Sequence, residues 1–330
     1  MEIVRFLRDA PEKLKGAALA IGNFDGVHRG HQKVLGEAIA IAKREGRRSG
    51  AVVFEPHPRE FFAPEAPFFR LTPLPVKLEL LEALGLDQTF VIAFDADLAA
   101  LSADAFATKV IAKGLGASHV VVGHDFSYGK GRTGTTEELA ILGRDLGFGV
   151  DVVAPVGEGG ATFSSSRIRE HIRQGEVRDA AEQLGYWWRV RGQVGAGAGR
   201  GKGLGFPTLN LPLAPGQDVR HGIYAMRVDH GAGRHHAAGY VGVRPTFGAG
   251  EPVLEAYLLD FAGDLYDKEI DVEFIEFLRP DATFATPEAL AAQMRDDTDR
   301  ARAVLAKIDR NDPIARFPLA RALAKPAPAL

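Results

Sequence analysis

The hydrophobic pattern of this chain changes past its middle. From residue 16 to about 155, short apolar runs such as AALAIGNF and SGAVVFEP alternate with helix-like segments such as HQKVLGEAIAIAKREG. Strands buried on both faces read as continuous apolar runs, and helices between them imply parallel crossovers. From YWWRV to about residue 279, apolar and polar residues instead alternate between glycine and proline turns, as in GIYAMRVDH.

Two fold classes in one chain follow from this change. The first part predicts a doubly wound α/β domain with a parallel sheet, and the second predicts an antiparallel β-barrel or sandwich. An amphipathic helix follows the strands, with Thr286 as its N-cap and Pro287 at its first position. We therefore expect an α/β domain over residues 1–185, a β domain over 186–310, and a loosely docked Ala/Pro-rich tail over 311–330.

Composition excludes several kinds of protein. A length of 330 residues with 46% hydrophobic and 25% charged residues suits two globular domains. The net charge is -3 and no long basic block is present, so nucleic-acid binding is not expected. Cysteine is absent, which excludes disulfides, thiolate nucleophiles and cysteine-ligated zinc. No apolar run approaches the ~18 residues of a membrane span, and we expect a cytoplasmic protein with small-molecule partners.

A first candidate site lies where an apolar run ends in GNFDGVHRGHQ. In an open α/β sheet, ligands bind outside the carboxyl ends of the strands, and a helix N-terminus attracts phosphate. His28 and His31 lie three residues apart on the first turn of the predicted helix, where both can donate to phosphate oxygens. With Gly22, Asn23 and Phe24 of the bend, they predict a phosphate-binding site, and in nucleotidyl transfer such positioning and charge stabilisation supply most of the catalysis.

A second candidate site is the segment GAGAGRGKGLGFPTLNL. Its glycines let the backbone approach phosphates closely, and its two cationic side chains can pair with them, although the spacing is not that of a Walker P-loop. The segment predicts an ATP-binding loop, and a flexible linker between domains is the alternative. The residues assigned to ATP are Gly199, Arg200, Gly201, Lys202 and Gly203.

The Pro-Thr-x-Asn tetrad that ends this segment argues against a linker. Thr208 and Asn210 are two positions apart in an extended chain, so their side chains lie on the same face. Hydroxyl and amide oxygens are suitable ligands for Mg²⁺, which bridges to nucleotide phosphates. The tetrad therefore predicts a magnesium site beside bound nucleotide phosphates.

The order of these motifs resembles one family. The HxGH spacing is similar to that of the HxGH nucleotidyltransferases, and FEPHPREFF, VVGHDFSYGKGRTG and FSSSRIREHIRQG resemble three further segments of the bacterial bifunctional riboflavin kinase/FMN adenylyltransferases. GFPTLN resembles that family's riboflavin kinase motif GFPTAN. The resemblance covers roughly residues 16 to 305 in the family's domain order, and it implies that the second domain is a riboflavin kinase-like barrel.

The resemblance implies roles for residues of the first domain. Ser164, Ser166 and Arg169 would bind the ATP phosphates, because a guanidinium fork can grip a polyphosphate as charge moves to the leaving pyrophosphate. The loop over residues 121–134 would contribute to the flavin and adenine pockets through Asp125 and Phe126.

For the barrel, the resemblance implies that Glu255 is the base of the kinase reaction and that Arg279 binds the flavin. LEAYLLDF matches the family's LExHLLDF strand, while VGVRPTFG over residues 241–248 resembles its GxRPTFG turn. Four positions depart from the family pattern: Leu209, Tyr240, Tyr257 and Asp267. The last two remove no group that has a chemical role here.

The sequence therefore predicts an enzyme that converts ATP and riboflavin to FMN and ADP in the barrel, and ATP and FMN to FAD and pyrophosphate in the α/β domain. Mg²⁺ is expected in both steps. One alternative is a flavin- or nucleotide-sensing protein without catalysis, which would have no reason to retain His28, His31, Thr208, Asn210 and Glu255 together. The other is a different HxGH transferase, such as a pantetheine-phosphate or lipid-precursor enzyme, which would have no use for a kinase-like barrel.

Overall fold

The computed structural model describes residues 1–6, 9–195, 206–243 and 252–324. These residues pack as two compact units. One comprises Met1–Ser165 with the described residues after Arg321, and the other comprises Ser166–Arg321.

The first unit is built on a six-stranded parallel sheet with the strand order β1-β4-β3-β2-β5-β6. The strands are β1 (Glu2–Phe6), β2 (Ala18–Ile21), β3 (Ser49–Glu55), β4 (Gln88–Ala93), β5 (His119–Gly123) and β6 (Gly149–Val153). The helices are α1 (Arg29–Glu45), α2 (Pro58–Phe62), α3 (Leu74–Ala83), α4 (Ala96–Ala99), α5 (Ala103–Ala105), which continues as a π-helix over Phe106–Leu115, and α6 (Thr136–Leu146). Short 3-10 turns cover Glu12–Leu14 and Lys130–Arg132, and a small hairpin pairs β7 (Gly157–Glu158) with β8 (Ala161–Thr162).

The order of the strands confirms the predicted doubly wound sheet. From β2 the chain runs outward through β3 and β4, and β5 then returns to the other side of β2. All four residues of β2 are at most 2% exposed, as expected of a central strand covered on both faces. The carboxyl ends of β2 and β5 therefore meet at the point where the strand order reverses, which is where open α/β sheets bind their ligands.

The second unit contains a six-stranded antiparallel barrel with the order β10-β13-β12-β11-β14-β9. Its strands are β9 (Arg189–Gln193), β10 (Thr208–Pro212), β11 (Gly222–Asp229), β12 (Arg234–Val243), β13 (Pro252–Leu258) and β14 (Glu269–Arg279). The helices are α7 (Ser165–Gln174), α8 (Val177–Leu184), α9 (Pro287–Arg310) and α10 (Pro318–Leu323), and a 3-10 turn covers Pro313–Arg316.

The barrel is nearly closed, which confirms the predicted fold of the second half. Beyond the end of β9, the Gly195 amide donates to the Asn210 carbonyl of β10 over 2.8 Å, so the first and last strands of the sheet approach each other. Helix α9 follows the barrel as predicted, with the Thr286 hydroxyl accepting from the Ala289 amide as N-cap. Its buried face packs into one apolar cluster with barrel residues; the cluster includes Ala225, Ile275, Ala301, Leu305 and Ile308.

The helix pair α7–α8 packs within the second unit, apart from the first residue of α7. The Arg220 guanidinium donates to the Gln174 carbonyl over 2.7 Å, and Arg178 of α8 forms an ion pair with Glu276 of β14. A boundary of the first domain near residue 185 stays a prediction.

The expectation of a loosely docked tail is wrong for residues 313–321. Ile314 is 1% exposed and Leu319 is 0% exposed, because both side chains are apolar and pack within the second unit. The alanine and proline content of this segment concealed these anchoring residues.

Candidate functional site

The first candidate site is the bend between β2 and α1, which adopts a strained backbone. Phe24 and Val27 have φ values of 46° and 39°, in the left-handed region that non-glycine residues rarely enter. A side chain at Gly22 would come within 3.0 Å of the Phe24 ring. Such a conformation persists only where surrounding contacts fix it.

Asp25 supplies one set of those contacts. Its carboxylate is 3% exposed and accepts hydrogen bonds from the backbone amides of Leu71 and Thr72, over 3.3 and 3.0 Å. The Thr72 hydroxyl in turn accepts from the Gly26 amide over 2.8 Å. The Asp25 carbonyl accepts from the Ser165 hydroxyl over 2.8 Å. These hydrogen bonds hold the bend to two segments that are distant in sequence, residues 71–72 and Ser165.

Lys77 of α3 holds the bend through a further hydrogen bond. The side chain is only 2% exposed, and its Nζ donates to the Asn23 carbonyl over 2.7 Å. Burial lowers the pKa of Lys77, an effect that the carboxylate of Asp25 opposes. The sequence interpretation missed Asp25, Thr72, Ser165 and Lys77. The available signal was a lysine flanked by apolar residues in the run LPVKLELL.

His28 and His31 lie side by side at the start of α1. His28 is the N-cap, and its Nδ1 accepts from the His31 amide over 3.3 Å, which leaves the proton of a neutral His28 ring on Nε2. The two rings stack with centroids 3.6 Å apart. Burial, followed by the charges of His28 and Lys77, places the pKa of His31 well below its ordinary value. A neutral His31 can donate a hydrogen bond to a phosphate oxygen without acting as an acid.

Two polar atoms in this site are buried without a hydrogen-bond partner among the described residues: Oδ1 of Asn23 and Nδ1 of His31. Buried polar atoms are normally satisfied by protein or by water, so an unsatisfied pair beside a helix N-terminus is suited to a polar ligand.

The other residues predicted for the first site lie on two segments, one at the start of α7 and one after β5. Ser164 directly precedes α7, while Ser166 and Arg169 belong to α7 in the second unit, where Ser166 is exposed and Arg169 is 6% exposed. Asp125 and Phe126 follow β5, at the same edge of the sheet as the bend. Asp125 is exposed, and the Phe126 ring stacks on Tyr128 with centroids 5.6 Å apart.

The segment FEPHPREFF forms a helix cap beside this site. His57 is the N-cap of α2, and its Nδ1 accepts from the Arg59 amide over 3.1 Å. Glu60 completes a capping box and also pairs with Arg70, which bonds to Glu55 as well. Burial lowers the pKa of His57 to about 4, so this histidine is neutral at pH 7.

The second candidate site is a cavity of about 620 Å³ within the barrel unit. Thr208 and Asn210 of β10 pair with Tyr257 and Glu255 of β13, so the side chains of these four residues project from one face of the sheet. Leu209 lies between the two β10 residues on the opposite face. Thr208, Glu255 and Tyr257 line the cavity.

The polar atoms on this face form a compact group. Oγ1 of Thr208 lies 3.4 Å from Oε2 of Glu255, and Nδ2 of Asn210 donates to the Thr208 carbonyl over 3.2 Å. Hydroxyl, amide and carboxylate oxygens are the hard ligands that Mg²⁺ prefers, so the donor set fits this ion. A carboxylate in this position can also accept a proton from a bound alcohol.

Tyr240 adds a phenol to the same cavity. It pairs with Glu255 across β12 and β13, and burial raises its pKa, so the phenol is protonated at neutral pH. Its hydroxyl lies over Gly242, where a Cβ atom would come within 2.0 Å. A side chain at position 242 would therefore require the Tyr240 ring to move.

Arg279 lies at the far wall of the cavity and contacts α9. Its Nε and Nη2 donate to the two carboxylate oxygens of Asp297 over 2.8 and 2.6 Å, a bidentate pair that is largely buried. Its Nη1 donates to the Pro280 carbonyl over 2.9 Å. The guanidinium therefore joins the end of β14 to the helix and lines the cavity at the same time.

Some predicted segments lie outside the described residues. They are the ATP loop with Gly199, Arg200, Gly201, Lys202 and Gly203, and most of the VGVRPTFG turn. Within the part of the chain that the structure describes, no helix is both long and apolar enough to cross a membrane.

Comparison with known proteins gives a consistent result for the two halves of the chain. A family model described as FAD synthetase matches residues 10–167, and one described as riboflavin kinase matches residues 184–305. The bifunctional riboflavin kinase/FMN adenylyltransferase of Pseudomonas fluorescens is 38% identical over 307 residues, covering 93% of this chain and 98% of that protein. The protein of the same name from Escherichia coli K12 is 36% identical over 298 residues, covering 90% and 94%.

A solved structure from Streptococcus pneumoniae, titled as a macrolide-efflux protein, superimposes with a TM-score of 0.81 and 26% identity. It covers 91% of this chain and 98% of its own. The likeness extends over both units of the fold. Its title names an activity that neither family model carries.

Proposed function

Because the chain belongs to the bifunctional riboflavin kinase/FMN adenylyltransferase family, we propose that its two catalytic centres are the bend after β2 and the barrel cavity. The enzyme phosphorylates riboflavin to FMN and adenylylates FMN to FAD, consuming one ATP in each reaction. We assign adenylyl transfer to the bend and phosphorylation to the cavity. The observation that carries this assignment is that each family model spans one of the two sites.

In adenylyl transfer, a phosphate oxygen of FMN attacks the α-phosphorus of ATP, and the bond to the β-phosphate oxygen breaks to release pyrophosphate. Nε2 of His28 and the neutral ring of His31 donate hydrogen bonds to phosphate oxygens as charge builds up on them. The N-terminus of α1 adds its partial positive charge, and the bend with Gly22, Asn23 and Phe24 orients the nucleotide.

Residues on other segments complete this proposed centre. Ser164, Ser166 and Arg169 bind the polyphosphate, because Arg169 offers a fork of donors to the departing pyrophosphate. Asp125 and Phe126 contribute to the flavin and adenine pockets. The support for these roles is the order of the motifs within a chain that belongs to the family, together with the place of the 124–134 loop at the carboxyl edge of the sheet.

In the kinase reaction, the 5′-hydroxyl of riboflavin attacks the γ-phosphorus of ATP, its proton passes to Glu255, and ADP leaves. Thr208 and Asn210 would hold Mg²⁺, which neutralises charge on the nucleotide phosphates. Tyr240, as a neutral phenol beside Glu255, can donate to the ribityl chain or to the carboxylate.

Two further parts of the kinase centre are assigned here. Arg279, fixed by Asp297, presents its guanidinium to the flavin side of the cavity. The ATP phosphates are bound by the glycine-rich loop through Gly199, Arg200, Gly201, Lys202 and Gly203. Because both reactions consume ATP, we also propose that the protein works in the cytoplasm.

The test is to incubate the pure protein with riboflavin, ATP and Mg²⁺ and to resolve the flavins by chromatography. We expect FMN to form first and FAD to follow, and we expect neither product when EDTA removes the metal. Retention of riboflavin without turnover would instead identify a flavin-sensing protein. Conversion of FMN to FAD without riboflavin phosphorylation would contradict the kinase assignment.

A further inference from the structure

The burial of the Lys77 side chain is not explained by the residues around it in the first unit. It is the single lysine among the buried polar residues of the described chain. Its one hydrogen bond is the 2.7 Å contact from Nζ to the Asn23 carbonyl, and it forms no ion pair with any described residue. A buried ammonium with one neutral acceptor and no paired carboxylate is costly, because burial removes most of its hydration.

The cluster around Lys77 contains charges of both signs at longer range. The carboxylates of Asp25, Glu55 and Glu60 favour the charged lysine, and Arg70 disfavours it. Asp25 is occupied by the amides of 71 and 72, and both glutamates bond to Arg70. These carboxylates are therefore engaged elsewhere.

The lysine also acts on the backbone of the bend. A trans peptide is planar, so its carbonyl and the following amide point in opposite directions. Because Nζ of Lys77 binds the Asn23 carbonyl, the Phe24 amide is turned away from α3. A bend that binds phosphate must present amides and turn its carbonyls elsewhere, since a carbonyl oxygen repels an anion.

We propose that Lys77 is a positioning residue of adenylyl transfer, which orients the Asn23–Phe24 peptide and whose charge is compensated by the ATP polyphosphate instead of by a protein carboxylate. The positive charge of Lys77 acts on His31, one of the candidate phosphate donors, because it contributes to the lowered pKa of that histidine. This inference rests on the proposed role of the bend in adenylyl transfer.

The test uses two substitutions in the full-length protein. Lys77→Met removes the hydrogen bond and the charge, whereas Lys77→Gln keeps a donor for the Asn23 carbonyl but removes the charge. Lys43→Met, at an exposed position near the end of α1, is the matched control. Kinetics of FMN adenylylation are measured for each, with riboflavin phosphorylation by the same sample as the control for folding.

For Lys77→Gln we expect kcat/KM for ATP to fall about 10-fold, with KM for FMN unchanged. This loss is smaller than the ~10²–10³ of a donor that touches the phosphate. Inhibition by inorganic pyrophosphate should weaken by a similar factor, which a purely structural role would not cause. Lys77→Met should lose more adenylylation activity than Lys77→Gln. Adenylylation by Lys43→Met, and riboflavin phosphorylation by all the variants, should remain at wild-type values.

Wild-type pyrophosphate inhibition and ATP kinetics in Lys77→Gln would overturn the proposal, even if Lys77→Met does not fold. If the bend is not the centre of adenylyl transfer, a different variant shows it. In that case His28→Ala would leave adenylylation intact, whereas a failure of the Lys77 proposal alone leaves the His28 effect in place.

Discussion

Oγ1 of Thr208 and Oε2 of Glu255 lie 3.4 Å apart on neighbouring antiparallel strands and line the same cavity. The pairing of β10 with β13 fixes this distance, because Thr208 is two residues from Asn210, the direct partner of Glu255. A candidate metal ligand and a candidate base are thus held together by backbone hydrogen bonds. The arrangement allows the two roles to be separated by substitution.

Glu255→Gln preserves shape and most hydrogen bonds but removes the basic oxygen. We expect kcat for riboflavin phosphorylation to fall by about 10²–10⁴, with little change in KM. Adenylylation of supplied FMN should be unaffected, because that reaction is assigned to the other unit and independent sites seldom couple. Thr208→Ala should instead raise KM for ATP as well as lower kcat. Wild-type turnover in the Gln variant would exclude Glu255, and Asp281 would be the next candidate because it also lines the cavity.

His28 has a structural and a proposed chemical role, and two substitutions separate them. His28→Asn keeps a side-chain acceptor at the N-cap of α1, which His28→Ala removes at a cost of about 1 kcal/mol. Both should lower the kcat of FMN adenylylation by about 10²–10³, as should His31→Ala, because each loses an imidazole donor. Kinase activity should persist in all three. Normal adenylylation in the Asn variant would show that the cap, and not the imidazole, is what the site requires.

The pair of Arg279 and Asp297 tests whether an arginine at the cavity is structural, functional or both. Asp297→Ala leaves a largely buried guanidinium unpaired, so we expect the free energy of unfolding of the second unit to fall by about 3–5 kcal/mol. The double variant Arg279→Met/Asp297→Leu should recover most of that stability, measured by urea unfolding. Recovery of kinase activity as well would show that Arg279 does not bind the flavin.

His57 makes the stability of the first unit dependent on pH. Its pKa is about 4 in the folded protein and about 6.5 when unfolded, so the unfolded chain binds the proton first as the pH falls. Protonation of His57 therefore leaves the free energy of unfolding unchanged above pH 6.5 and lowers it by up to about 3 kcal/mol as the pH falls to 4. His57→Asn keeps a capping side chain without this titration. Urea unfolding followed by circular dichroism should therefore show a shallower loss between pH 6.5 and 4 in the variant, and equal slopes would contradict the assignment.

The elements that sequence predicts best here are those set by local chemistry. β2 is a continuous apolar run and is buried throughout, and Thr286 caps α9 because a threonine before proline suits that position. By contrast, β1 was not predicted. EIVRF is short and two of its five residues are charged, and it becomes a strand by pairing with β4, more than eighty residues away in sequence.

The site residues divide in the same way, into those that the local sequence indicates and those that depend on long-range packing. The histidines could be proposed from their spacing, and Thr208 with Asn210 from their alternation. The contacts that hold these residues could not. Lys77 reaches Asn23 across 54 residues, and Asp297 reaches Arg279 across 18, so both contacts depend on how separate elements pack. A single sequence contains no local signal for such pairs beyond a charged residue between apolar neighbours, as Lys77 is between Val76 and Leu78.

If the two reactions occur at two separate centres, a mixture of two variants that are each defective in one reaction should carry out both. His28→Ala should convert riboflavin to FMN only, and Glu255→Gln should convert FMN to FAD but leave riboflavin unchanged. Incubated together with riboflavin, ATP and Mg²⁺, they should produce FAD, because FMN released by the first is adenylylated by the second. Loss of both activities in either single variant, seen by the same chromatography, would contradict the account.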